Sequence, residues 1–328
     1  MVQGGPAVQV GIIVATVVGL WIGARLLVDS VVRLARGIGL SELTIGLTIV
    51  AAGTSMPELV VTTDAALKGV GDIAIGNVVG SNIYNLAFIL GVVSLVRVIP
   101  VERSLLHRDG LALLASTLVG AAVLLDLTVS RAEGLLLVVL FVGYTTYLLW
   151  DSARDPSPAG GGTGGEDPLT TALTDRLAFR GRDAALLVGG LAVVLVSGQF
   201  MVESASAIAR VAGLSEALIG GTIVAAGTST PEFAVSLVAI RRGSLGVSVG
   251  NVVGSNVFNV LAVLGLGALV RPLTAGAGTL ENVAWLVGVV LVTVVALWSG
   301  RKLSRAEGGV FALSEVGRWT LGVLGIVG

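Results

Sequence analysis

Two glutamates stand where a membrane interior is expected. Glu58 lies in "TIVAAGTSMPEL" (Thr48–Leu59) and Glu232 in "TIVAAGTSTPEF" (Thr222–Phe233). Each directly follows a proline, Pro57 or Pro231, and comes shortly after a hydroxyl pair, Thr54-Ser55 or Thr228-Ser229. An acid at mid-bilayer costs about 2.5–3.5 kcal/mol on insertion scales and faces a pathway or a partner. The basic residues at comparable depth are Arg25 and Arg318, and neither has a basic mate in the other copy of the motif. Two carboxylates brought together repel unless they are protonated or bridged by a cation, and a cation is the simpler solution. Oxygen donors without His or Cys suit Ca²⁺, Mg²⁺ or Na⁺ and argue against zinc or copper.

The prolines add a second argument. Inside a helix, proline removes one donor and clashes with the carbonyl four residues back, so Pro57 and Pro231 are expected to free the carbonyls of Gly53 and Gly227. A freed carbonyl survives in a bilayer only if it is buried in protein or lines a wet cavity. A single kink reads equally well as a bent helix repaired by Thr54, Ser55, Thr228 and Ser229. Two matching kinks, each followed by a glutamate, read as a site. "GNVVGSNIYN" (Gly76–Asn85) and "GNVVGSNVFN" (Gly250–Asn259) complete the set. Asn77, Ser81 and Asn85 recur every fourth residue and form one polar stripe along a helix. Ser81, Ser255, Asn85 and Asn259 are expected to coordinate the cation. Interhelical hydrogen bonding would account for any one of them alone. Gly76 and Gly80 form a small-residue pair that allows a neighbouring helix to approach closely. The motif lacks the lysine and strand context of a phosphate loop.

The elements that position these residues follow from composition. Of 328 residues, 54% are hydrophobic and 12% charged, with mean hydropathy +0.96, whereas soluble domains carry about 25% charged residues. An all-α polytopic membrane protein is expected. Ten spans are read, near 8–31, 41–66, 72–95, 109–127, 132–150, 184–208, 215–239, 245–270, 280–299 and 308–327, the last interrupted by Glu315 and Arg318. Residues 1–150 form a first unit and 184–328 a second. Between them, 151–183 is rich in Gly, Pro and acids and reads as a flexible cytoplasmic linker.

Gly39–Gly91 aligns with Gly213–Gly265 without a gap at an offset of 174, with 29 of 53 positions identical. Upstream, Asp29 pairs with Glu203 and Arg36 with Arg210. Five spans per half is an odd number, so the halves enter the membrane in opposite senses: two inverted five-helix repeats, with the second and seventh helices broken. Placing the N-terminus outside puts Arg33, Arg36, Arg97, Arg103, Arg108, Arg154, Arg176, Arg180, Arg182, Arg241, Arg242, Arg301, Lys302 and Arg305 on the cytoplasmic side. Lys68, Arg131, Arg210 and Arg271 then fall outside. This positive-inside bias places both termini outside.

The remaining residues have structural readings. Ser41-Glu42 and Ser215-Glu216 look like helix N-caps, His107 a solvated loop residue, and Trp150 and Trp298 interfacial anchors. Asp29 and Glu203 read as interfacial contacts. No basic block suggests nucleic acid, no Cys allows a disulfide or thiolate site, and no secretory signal precedes the first apolar run.

On "GTSMPE", "GTSTPE" and the paired "GNVVGSN", the chain resembles the cation/calcium antiporter superfamily, specifically its sodium/calcium exchanger branch. The likeness and the ten-span layout cover nearly the whole chain. It implies that Glu58 and Glu232 bind calcium with the backbone carbonyls of Thr54 and Thr228. It further implies sodium sites sharing the glutamates and using Ala51, Ser55, Ser81, Ala225, Ser229 and Ser255, and sliding of the first and sixth spans as a pair. Three Na⁺ per Ca²⁺ would move one net charge per cycle. Some relatives carry aspartate at the place of Asn259, so Asn here argues against potassium co-transport. The proton-exchanging branch more often has Gly-Asn-Ala before its glutamate, a pattern lacking here.

The expected function is sodium/calcium antiport across a plasma or inner membrane by alternating access, in which the two ions compete for the glutamates. Calcium/proton exchange is the alternative, followed by an intramembrane hydrolase or a passive cation channel. The chain is expected to be no enzyme, to need no cofactor, and to work as a monomer with calcium, sodium and the lipid bilayer as partners.

Overall fold

Apolar runs with no breaker fold as long helices, and the duplicated motifs set where they stop. The computed structural model describes residues 5–100, 105–154, 181–213, 223–276, 278–300 and 302–323. Pro6 opens α1 (Pro6–Ile38), where its missing N–H is one the helix could not satisfy anyway. α2 (Glu42–Thr54), π-wound over Gly46–Val50, and α3 (Met56–Lys68) make one unit bent by 46°. α4 (Gly71–Val96) follows. A π-helical turn, Leu105–Asp109, leads into α5 (Gly110–Val123) and then α6 (Arg131–Arg154). The second half supplies α7 (Gly181–Val211), α8 (Ala225–Thr228), α9 (Thr230–Arg242), α10 (Leu245–Val270), α11 (Thr279–Gly300) and α12 (Arg305–Val323). Strands β1 (Ile99–Pro100), β2 (Thr128–Val129), β3 (Leu273–Thr274) and β4 (Lys302–Leu303) are two residues each.

The protein is an all-α membrane protein. Among the described residues six helices are long and apolar enough to cross a bilayer, seven if the bent α2–α3 unit counts as one. α1 and α7, with 33 and 31 residues, exceed the ~20 needed to span and are long enough to cross at a tilt. Their backbones touch: a Cβ on Gly23 would lie 2.9 Å from the carbonyl oxygen of Gly190. The Ser/Asn-bearing helices α4 and α10 are mostly buried in the centre, while α1, α6 and α7 are mostly exposed around them.

Contacts obey a two-fold relation at the same offset of 174. β1 pairs with β4 (Ile99 opposite Leu303) and β2 with β3 (Val129 opposite Leu273), each strand taking the partner of its mate. Glu133 accepts from the Ser130 N–H at 2.8 Å and Glu307 from the Ser304 N–H at 2.8 Å, capping α6 and α12 alike. Gly69 (φ 76°) and Gly243 (φ 83°) end α3 and α9 in the left-handed region that glycine alone adopts freely.

The structure corrects several expectations. Pro57 and Pro231 do not interrupt helices from inside; they lie in the first turn of α3 and α9, where a missing N–H costs nothing. The breaks fall at Ser55 and Ser229. His107 belongs to the helical turn before α5 and meets Trp298 edge-on at 6.2 Å. The fourth span is helical only to Val123, and Leu127 has φ 62°. Glu315 and Arg318 do not interrupt α12, because Arg318 Nε binds Glu315 at 2.8 Å one turn away, and each charge offsets the other. α6 and α7 take residues 151–154 and 181–183 from the expected linker; 155–180 and the Ser215-Glu216 cap lie outside the described residues. The Ser41 cap is present, accepting from the Thr44 N–H at 3.0 Å.

Candidate functional site

The two breaks face each other at the centre of the protein. Ser55 (φ −82°, ψ 12°) and Ser229 (φ −87°, ψ 8°) take the same sparsely populated backbone conformation. The next helix restarts at once and places Glu58 and Glu232 in its first turn, where the positive end of the helix dipole favours a carboxylate. Both glutamates are fully buried.

Each carboxylate is gripped by the opposite half. Ser229 Oγ donates to Glu58 Oε1 at 3.0 Å, and Ser55 Oγ donates to Glu232 Oε1 at 2.8 Å. Ser255 Oγ lies within 3.4 Å of Glu232 Oε1 and 3.5 Å of the Ala51 carbonyl. Thr54 Oγ1 reaches the Val50 carbonyl at 3.1 Å and Asn251 Oδ1 at 3.0 Å. Thr228 is buried as the last residue of α8, and Ala225 begins that helix.

Several buried atoms have no hydrogen-bond partner: Glu58 Oε2, Glu232 Oε2, both amide atoms of Asn85, and Asn259 Oδ1. A buried acceptor without a donor costs about 1–3 kcal/mol, more when charged, so a cluster of them at one place is a property to explain. Arg25 lies over the Trp21 ring at 5.6 Å and Arg318 binds Glu315; among the described residues no basic side chain reaches either central glutamate. No group of three or more His, Cys, Asp or Glu converges among them either. Two carboxylates amid neutral oxygens are the donor set of a hard cation.

Asn77, read in sequence only as part of a stripe, and its mate Asn251 stand behind the glutamates. Asn77 Nδ2 donates to the Glu58 carbonyl (3.1 Å) and Thr62 Oγ1 (3.0 Å), and Asn251 Nδ2 to the Glu232 carbonyl (3.2 Å) and Ser236 Oγ (3.0 Å). Asn82 was missed altogether, although it repeats as Asn256. Its Nδ2 donates to the Asn256 carbonyl at 3.0 Å, and its Oδ1 accepts from Asn259 Nδ2 at 3.1 Å, joining α4 to α10. The close approach expected of the glycine pair appears in its second copy: a Cβ on Gly250 would lie 2.6 Å from the Leu43 carbonyl, and one on Gly254 2.5 Å from that of Leu47. Around Gly76 and Gly80 no described atom comes within 4 Å of such a Cβ.

Comparison with known proteins gives concordant results. The family profile described as sodium/calcium exchanger protein matches residues 8–150 and 183–314. CaxA of Alkalimonas amylolytica, named as a candidate antiporter, is 35% identical over 93% of this chain and 95% of its own. The inner membrane protein YrbG of Escherichia coli is 36% identical over 73% of each. A solved structure of the sodium-calcium exchanger NCX_Mj, soaked with Na⁺ and zero Ca²⁺, superposes with a TM-score of 0.80 at 28% identity, over 98% of this chain and 99% of that one.

Proposed function

Since the chain belongs to the sodium/calcium exchanger protein family, we propose that it is a secondary antiporter exchanging sodium for calcium across a cell or inner membrane. Its membership of a family of membrane transporters sets the class; the ions and the site are the finer reading. The observation that carries that reading is the pair of buried glutamates, each held through one oxygen by a serine of the opposite half, with the other oxygen unpartnered.

In this reading calcium and sodium are cargo. They take Glu58, Glu232, the carbonyls of Thr54, Thr228, Ala51 and Ala225, and the polar side chains of Ser55, Ser229, Ser81, Ser255, Asn85 and Asn259. Both ions need the same carboxylates, so they compete, and coupling follows from competition. An empty site carries two negative charges and resists crossing a dry barrier; a loaded one is neutralised and moves. The ten segments cross the membrane as two inverted repeats, both termini lie outside, and access alternates between faces. One chain supplies both halves, so the monomer is the transporting unit.

Radiocalcium uptake into proteoliposomes driven by an outward sodium gradient tests this, with pH clamped and potassium absent. Wild type is expected to accumulate calcium, whereas Glu58→Gln and Glu232→Gln are not. The two carboxylates have no basic partner among the described residues and could also exchange protons. Uptake driven only by a pH gradient would favour calcium/proton exchange.

A further inference from the structure

The two-fold relation is broken at one ion pair. Arg242, at the end of α9, binds Asp29 of α1 at 2.8 Å. At the offset of 174 their mates are Lys68, at the end of α3, and Glu203 of α7. The charge signs are kept, acid on the α1–α7 pair and base on the broken helix, yet this second pair is not made. Lys68 instead binds Asp64 on its own helix at 2.6 Å, and Glu203 accepts from Gln199 at 3.2 Å.

The central site departs from symmetry as well. Asn259 Nδ2 donates to Asn82 Oδ1, while the mate contact, Asn85 to Asn256, is absent and leaves Asn85 Nδ2 and Asn256 Oδ1 unpartnered. In an inverted-repeat carrier the opposite-facing state is reached by moving one repeat or bundle against the other about a fixed site. A contact made on one face and missing at its two-fold mate is then placed to open as the mate forms.

We propose that Asp29–Arg242 and Glu203–Lys68 are alternate latches: the first closes the face bearing Arg241 and Arg242, the second closes the opposite face, and only one is made at a time. This rests on the antiport reading. One residue difference weights the balance directly. Asp64, which occupies Lys68 here, has Val238 as its mate, so no acid on α9 competes for Arg242 from that position. The resting protein therefore favours the Asp29–Arg242 state.

The chain has no cysteine, so spin labels can be placed in pairs on the full-length protein without background. One pair is Ile38→Cys with Arg241→Cys; its two-fold mate is Ala212→Cys with Leu67→Cys. Double electron–electron resonance should give distance distributions that trade weight: wherever 38–241 is short, 67–212 is long. Arg242→Gln should raise the short 67–212 population about two- to five-fold, the size of a part-exposed ion pair. Asp64→Asn should act in the same direction and Lys68→Gln in the opposite one. The swap Asp29→Arg with Arg242→Asp should restore the wild-type distribution. A 67–212 distribution indifferent to all of these, with sodium-driven calcium flux intact, would overturn the latches and leave the antiport reading standing.

Discussion

The two halves of the site hold the same residue types and use them differently. Around Glu232, Ser255 and Ser55 both reach the carboxylate, and Asn259 is tied to Asn82. Around Glu58, Ser229 reaches the carboxylate, but Asn85 stays unpartnered. Behind both glutamates, the Asn77 and Asn251 braces are alike to within 0.1 Å. Symmetry is therefore kept in the frame that aims the acids and lost in the oxygens around them. Under the antiport reading, that pattern separates what stays fixed from what changes between states.

The comparison breaks first at the acids. Glu58→Gln and Glu232→Gln should each reduce sodium-driven calcium flux by about 100-fold or more, on the scale of losing one member of a buried charged set. Losses that differ by more than about tenfold would show that the halves are not equivalent partners. Next comes the frame. Gly254→Ala forces a Cβ to within 2.5 Å of the Leu47 carbonyl, and overpacking of this kind costs about 1–3 kcal/mol, readable as a lower unfolding temperature in detergent. Asn77→Ala removes two donated hydrogen bonds, and Asn251→Ala removes their two mates plus the one Asn251 accepts from Thr54, so each should destabilise by about 1–3 kcal/mol and Asn251→Ala by more. Equal losses would mean that the Thr54–Asn251 contact carries no weight.

How far the sequence foretold this depends on what repetition can encode. The gapless offset of 174 exposed the duplicated unit, and the glutamates stood out because an acid is costly in hydrocarbon. The breaks were legible as well, but their chemistry was not. A proline reads as an intruder in a helix until the structure places it in the first turn, and only coordinates show that Ser55 serves Glu232 rather than Glu58. Asn82 was overlooked because it lies off the stripe of every fourth residue, although its repetition as Asn256 was the available signal. Glu315 read as an interruption because pairing with Arg318 three residues later is a matter of side-chain geometry, not composition. Asymmetry between the halves is invisible in sequence, since it belongs to one conformation.

The smallest effects sharpen the comparison most. Ser255→Ala should cost the ion-free protein about 0.5–1 kcal/mol, a long hydrogen bond's worth. Asn85→Leu replaces an amide without a partner by an apolar group of similar size and should leave ion-free stability unchanged or slightly raised. Both variants should blunt the rise in unfolding temperature that calcium produces. If Asn85→Leu destabilised the ion-free protein as much as Asn259→Leu, the half-sites would be alike and the asymmetry without meaning.

The central claim is that one glutamate from each half shares a single metal ion. Anomalous diffraction from crystals grown with calcium tests it most directly. The expected result is one peak bound by Oε2 of both Glu58 and Glu232, at the ~2.3–2.6 Å typical of calcium–oxygen bonds. Calcium bound elsewhere, with both carboxylates satisfied by protein alone, would contradict it.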